Sequence, residues 1–172
     1  MRGNVNNIGM IRTIKWWIYT VCVLWMLNGC SALKAPVVVK NRPMAGYKYV
    51  FIPQTKEVMS SKGDTWNGQY VSTAQSVNPR EIISGVLMKN GFVVLPELKS
   101  ELNAKTLIVN YGESGRRRLG LGSVTEVTIQ FVSADTYELV SSCTAEEGHE
   151  KTEADDIRQA IHRALSKLFG NK

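Results

Sequence analysis

The stretch Val127-Thr128-Ile129-Gln130-Phe131-Val132-Ser133-Ala134-Asp135-Thr136-Tyr137 decides how the chain folds. Val127, Ile129 and Phe131 alternate with Thr128 and Gln130, the period of a strand with one buried and one wet face, and Ser133 to Thr136 is a turn. Tyr137 to Glu146 then returns as a second strand, so the pair predicts an antiparallel hairpin. An amphipathic sheet of this kind needs a partner layer for its apolar face. The sequence supplies one. From Thr152 or Glu153 onward, Ile157, Ala160, Ile161, Ala164, Leu165 and Leu168 fall on a single helical stripe. Asp155 and Asp156 sit in the first turn, where the helix dipole favours them, and Lys167 and Gly170 close the other end.

Working back from the hairpin, Thr106 to Tyr111 predicts a further strand. Between the two lies Gly112-Glu113-Ser114-Gly115-Arg116-Arg117-Arg118-Leu119-Gly120-Leu121-Gly122, whose glycines and three consecutive cations read as a loop. Asn78-Pro79-Arg80-Glu81 is a helix start with Asn78 as cap and Pro79 in the first turn, and Asn90-Gly91 is its left-handed stop. Phe92 to Leu95 is a short buried strand closed by Pro96, and Leu98 to Asn103 is a turn. Tyr47 to Ile52, ended by Pro53, reads as a central strand. Gln54 to Val77, rich in Gly, Ser and Thr, reads as a long loop or flexible hairpin, with Trp66 and Tyr70 as aromatic candidates for partner contact. The expected fold is α+β: a two-layer sandwich of a mixed, largely antiparallel sheet of about five strands, with two helices packed on one face.

The N-terminal end carries a different signal. Arg2, Arg12 and Lys15 precede an apolar run from Trp16 to Leu27 that suits a secretory signal and is short for a membrane span. Leu27-Asn28-Gly29-Cys30 follows at its end and resembles the lipobox of bacterial lipoproteins. That resemblance implies cleavage before Cys30 and a covalent lipid on its sulfur, with membrane lipid as the first partner and no other cofactor. The expected division is residues 1–29 as signal peptide, 30–46 as lipidated N-terminus and tether, and 47–172 as a single domain. In the tether, Val37-Val38-Val39 could lie against the domain or start an edge strand. Ser31 after the cysteine, in place of the aspartate that resembles an inner-membrane retention signal, favours the outer membrane. The lack of an acidic cluster there favours its periplasmic side.

Of the 172 residues, 143 remain after such cleavage, with 18 basic against 15 acidic side chains, a net charge of +3. This is too mild to argue for nucleic acid. Cys143 is the one thiol left in the mature chain, in a strand-like run, and reads as a small buried residue. The basic stretch lacks the Gly-Lys-Ser/Thr ending of a phosphate-binding loop. In Gly112-Glu113-Ser114-Gly115-Arg116, Arg116 stands where a nucleophile elbow needs glycine. Two histidines, His149 and His162, and one thiol do not match a zinc spacing. Glu146, Glu147, Glu150, Glu153, Asp155 and Asp156 read as a solvated connection and helix-start charge rather than a calcium loop. Arg116, Arg117 and Arg118 are candidates for anion or headgroup contact, since guanidinium forks suit phosphates and carboxylates.

The order of elements, with Asn78-Pro-Arg-Glu and Leu87-Met-Lys-Asn-Gly-Phe leading into the second strand, resembles small bacterial lipoproteins of the DUF4136 type. It is similar in architecture to the N-terminal domain of TolB. Leu107-Ile-Val-Asn-Tyr-Gly-Glu-Ser-Gly-Arg-Arg followed by Val127-Thr-Ile-Gln-Phe-Val-Ser-Ala resembles lipoprotein sequence from Bacteroidales. The resemblance implies no catalytic residues. The expected function is therefore a non-enzymatic envelope lipoprotein that binds an envelope protein or component. The alternative is a hydrolase of an envelope ester or glycan, using Glu113, Ser114 or His149.

Overall fold

The structure is a computed structural model that describes residues 33–66, 69–119, 122–148 and 152–170, with backbone alone at 62, 64–66, 70, 71, 73 and 119. Leu33–Lys172 forms one compact unit, and Met1–Ala32 falls in another that lies outside the described residues. A six-stranded mixed sheet and two helices build the domain, an α+β architecture with one strand more than the expected five.

The strands are β1 (Val37–Lys40), β2 (Tyr49–Phe51), β5 (Val93–Leu95), β6 (Thr106–Leu119), β7 (Gly122–Ser133) and β8 (Leu139–Gly148), in the order β1-β8-β7-β6-β2-β5. A separate two-stranded sheet joins β3 (Val58–Trp66) to β4 (Gln69–Val77). β2 is parallel to both its neighbours, and β6, β7, β8 and β1 run antiparallel in turn. β1 supplies the additional strand. Of the two readings open for Val37 to Val39, the edge strand is the one adopted, with Val37 opposite Thr144 and Lys40 opposite Ser141.

Helices α1 (Pro79–Lys89) and α2 (Glu153–Phe169) form where the sequence places them, because their signals are local. The Asn78 side chain accepts from the Arg80 amide at 3.1 Å, and Thr55 Oγ1 donates to Asn78 Oδ1 at 2.9 Å. Gly91, at φ 88°, takes the left-handed conformation just past α1. Thr152 caps α2 through the Asp155 amide, and Gly170 ends it at φ 73°. The whole predicted stripe of α2 is buried against Val127, Ile129 and Phe131, with the Phe169 ring edge-on to Phe131 at 6.5 Å. The opposite sheet face, with Asn110 and Gln130 exposed and Thr128 partly exposed, has no helical cover among the described residues.

Of the two readings open for Gln54 to Val77, the hairpin is the one adopted, as β3/β4 in continuous register from Val58 opposite Val77 to Trp66 opposite Gln69. Its base grips the start of α2, where Ser60 Oγ accepts from the Ala154 amide at 3.1 Å and Thr152 Oγ1 meets the Gln75 side chain at 3.0 Å. Two other expectations are corrected. Gly112 to Leu119, expected as loop, continues β6 and pairs with β7 to its end. Pairing overrides the weak strand propensity of its glycines. The strand Val93–Leu95 is an edge strand and not fully buried, with Val93 43% exposed.

Candidate functional site

The parity of β6 changes once, and the site follows from that change. Up to Glu113, odd-numbered residues of β6 pair with Val127, Ile129, Phe131 and Ser133, on the helix-covered side. The register shifts between Glu113 and Gly115, so Ser114 is an extra residue, a β-bulge. Beyond it Gly115 pairs with Glu126 and Arg117 with Val124, placing Arg117 on the open face. Arg116 falls on the helix side.

On the open face Arg117 meets Glu146, which pairs with Glu126 across β7 and β8. Arg117 Nε donates to Glu146 Oε1 at 3.1 Å and Nη2 to Oε2 at 2.6 Å, a two-pronged bond. Lys34 completes the cluster: its Nζ lies 2.8 Å from Glu146 Oε1 and 3.6 Å from Glu126 Oε2, and its backbone N–H donates to Glu146 Oε2 at 3.2 Å. Glu146 is 2% exposed. From the helix side Arg163 donates to the Glu146 carbonyl and, at 3.1 Å, to Glu147 Oε2.

The bond from Arg117 pulls the Glu146 carboxyl down to about 2; burial opposes that shift and the bonds from Lys34 reinforce it. Its hydrogen bond in turn raises the Lys34 ammonium and the Arg117 guanidinium above their ordinary values. A cavity of about 150 Å³ opens beside the cluster, floored by Gly115 and walled by Lys34, Arg117, Val124 and Glu126.

Next to it the bulge residue Ser114 donates from Oγ to Glu126 Oε1 at 2.8 Å and accepts from Thr128 Oγ1 at 3.0 Å. Thr128 also lies 2.9 Å from Thr144 Oγ1, so three strands are laced by hydroxyls. A second depression of about 320 Å³ lies over Gly112, bordered by Asn110, Ser114, Thr128 and Gln130. Tyr111 donates to Glu113 Oε1 at 3.3 Å, and burial first, then the Glu113 charge, raise its hydroxyl above the ordinary value.

The three consecutive arginines thus take three different roles. Arg116 forms an ion pair with Glu153 at the start of α2, Arg117 enters the Glu146 cluster, and Arg118 is exposed with no ion pair among the described residues. The reading of Glu146 as part of a solvated acidic connection is corrected, since it is a buried strand residue. Asp156 is buried too, at 7% exposure. No sequence signal marked Glu146, because its cover comes from Arg117 and from Lys34, 112 residues away. Cys143 is buried among the core, and burial pushes its thiol up to about 12. His162 is exposed on α2; partial burial, then the charges of Lys89 and Arg158, lower its pKa. Leu27, Asn28, Gly29, Cys30, His149 and Glu150 lie outside the described residues, as do the side chains of Trp66 and Tyr70. The Trp66 and Tyr70 backbones stand at the far ends of β3 and β4. Among the described residues no group of three or more His, Cys, Asp or Glu is placed to hold a metal ion.

No family model matches the chain, and no curated protein does. Solved structures that it matches include two of the PelC dodecamer from Paraburkholderia phytofirmans, 13% and 16% identical, with TM-scores of 0.44 and 0.43. They cover 80% and 77% of this chain, and 99% and 96% of those chains are covered. A neuraminyllactose-binding hemagglutinin homolog from Helicobacter pylori is 14% identical at a TM-score of 0.31, with 80% of this chain and 89% of that one covered. Likeness of this degree carries no functional information.

Proposed function

We propose that the protein is a lipid-anchored lipoprotein of the outer membrane, facing the periplasm, that acts without catalysis as a binding or assembly module for an envelope protein or component. The observation that carries this reading is the attachment of Lys34 to Glu146. The sequence Leu27-Asn28-Gly29-Cys30 supplies a lipid attachment residue, and four residues later the chain is fixed to a buried carboxylate by both its backbone and its side chain. An anchor joined so closely to a folded domain holds that domain at the membrane with the open sheet face free for a partner. Several acyl chains on Cys30 give stable anchoring, at about 0.8 kcal/mol per buried CH₂.

Two measurements test it. Cys30→Ala removes incorporation of labelled fatty acid and moves the protein out of the membrane fraction; unchanged membrane association in that variant refutes the anchor. Photo-crosslinking in living cells from Asn110 or Gln130 on the open face, and from Trp66 or Tyr70 on the β3/β4 hairpin, captures a discrete envelope partner.

The hydrolytic reading has one observation in its favour, the 2.8 Å bond from the Ser114 hydroxyl to Glu126 at a bulge beside a cavity. Turnover of an envelope ester or glycan by the purified protein, abolished by Ser114→Ala or Glu113→Gln, would replace the binding reading with that one.

A further inference from the structure

We infer that the end of the sheet where the chain enters the domain, carrying Lys34 and Arg116 to Arg118, docks on an anionic phospholipid surface. The inference rests on the reading of Cys30 as the lipid-anchored residue. β1 runs from Val37, opposite Thr144, to Lys40, opposite Ser141, so the chain enters at the end where β8 finishes. That is also where β6 finishes, because Arg117 pairs with Val124 and Val124 with Gly148. Chain entry and the three arginines therefore share one end of the domain. Cys30 precedes Lys34 by four residues, so at most about 14 Å of extended chain separates them. The Lys34 attachment to Glu146 prevents the entry point from peeling away to lengthen that leash.

Charge follows the same geometry. Among its described residues this end is nearly balanced by count, yet in each ion pair there the cation is the more exposed member. Lys34 is 63% exposed against 2% for Glu146 and 28% for Glu126. Arg117 is 34% against the same Glu146, and Arg116 is 53% against 35% for Glu153. The carboxylates lie inward and the cations outward, with Arg118 added at the surface. A plane brought against this end meets guanidinium and ammonium groups, which suit lipid phosphates.

The test uses the chain from residue 30 onward with Cys30→Ser, so that acylation contributes nothing, in flotation with vesicles. Vesicles of phosphatidylglycerol and phosphatidylethanolamine should carry the protein at low ionic strength and release it as salt rises; pure phosphatidylcholine vesicles should not carry it. Removing one surface cation costs about fivefold in vesicle affinity, so Arg118→Gln loses about fivefold and the charge reversal Arg118→Glu about 30-fold. Lys40→Glu makes the same charge change at the other end of β1 and, compared at about 0.1 M salt where the Debye length is about 10 Å, should stay within about twofold of the parent. Equal flotation on neutral and anionic vesicles, or equal losses from Lys40→Glu and Arg118→Glu, overturns the inference. Failure to float by a protein whose Cys30 is acylated in cells overturns the docking alone. Flotation by a protein whose Cys30 is not acylated overturns the anchor and leaves the headgroup contact standing.

Discussion

Removing Arg117 should harm the protein more than removing the carboxylate it holds. Glu146 is 2% exposed, whereas Arg117 and Lys34 reach solvent at 34% and 63%. Glu146→Gln leaves two cations that can turn to water; Arg117→Met strands a buried carboxylate with Lys34 alone. The fall of the Glu146 carboxyl from its usual 4.5 to about 2 corresponds to about 3 kcal/mol of stabilisation of the ionised form in the folded state. Because the folded value is depressed, that stabilisation is complete above 4.5 and is lost as the pH falls toward 2. Glu146→Gln should therefore cost up to about 3 kcal/mol at pH 7 and flatten the acid limb of the stability profile below 4.5. Arg117→Met should cost more than Glu146→Gln at pH 7, because the carboxylate it leaves buried loses its two-pronged bond and keeps only its contacts with Lys34. Combining Arg117→Met with Glu146→Met should restore part of that loss, since no buried charge is then stranded. Urea unfolding is the appropriate assay, because urea is uncharged and does not screen the pair. An Arg117→Met variant more stable than Glu146→Gln at pH 7, or an unchanged acid limb in Glu146→Gln, would refute this account.

Three further outcomes can be checked on the purified protein. A Cβ at Gly148 would meet the Ser123 carbonyl oxygen at 2.6 Å and Val124 Cγ2 at 2.8 Å, so Gly148→Ala should destabilise by about 1–3 kcal/mol in denaturant titration, while Gly112→Ala, with open space around its Cβ, should be neutral or gain up to about 1 kcal/mol. Cys143, 1% exposed with its thiol pushed up to about 12, should resist a thiol reagent at pH 7 and react only after unfolding; rapid labelling of the native protein would contradict its placement. Tyr137 stands at φ 57° with its side chain 72% exposed, so Tyr137→Asn should relieve left-handed strain at little cost in packing and raise the urea midpoint, by about 0.5 kcal/mol in stability.

The elements that could be read from the chain are those whose instructions lie within a few residues. Asn78-Pro79 and Thr152 start the helices, Gly91 and Gly170 stop them, and the six-residue stripe of α2 faces the core. The hairpin from Val127 to Glu146 was equally legible, because alternation and a turn are local patterns. Gly112 to Leu119 was not, since glycine and arginine carry little strand preference and the segment is held extended by the partner strand β7. For β3 and β4 the polar composition left loop and hairpin both open, and a nine-residue register decides for the hairpin. The site suffered most. The sequence shows three arginines in a row, but a single bulge residue, Ser114, decides which of them faces Glu146.

By itself the sequence determined the two helices, the central hairpin and the α+β class, because each is written in neighbouring side chains. Tertiary structure alone decided that Lys34 and Arg117 close over a carboxylate far along the chain, and that Arg116 turns instead to the start of α2. A buried ion cluster exists only where strand register brings its members together, and register is a property of the assembled sheet.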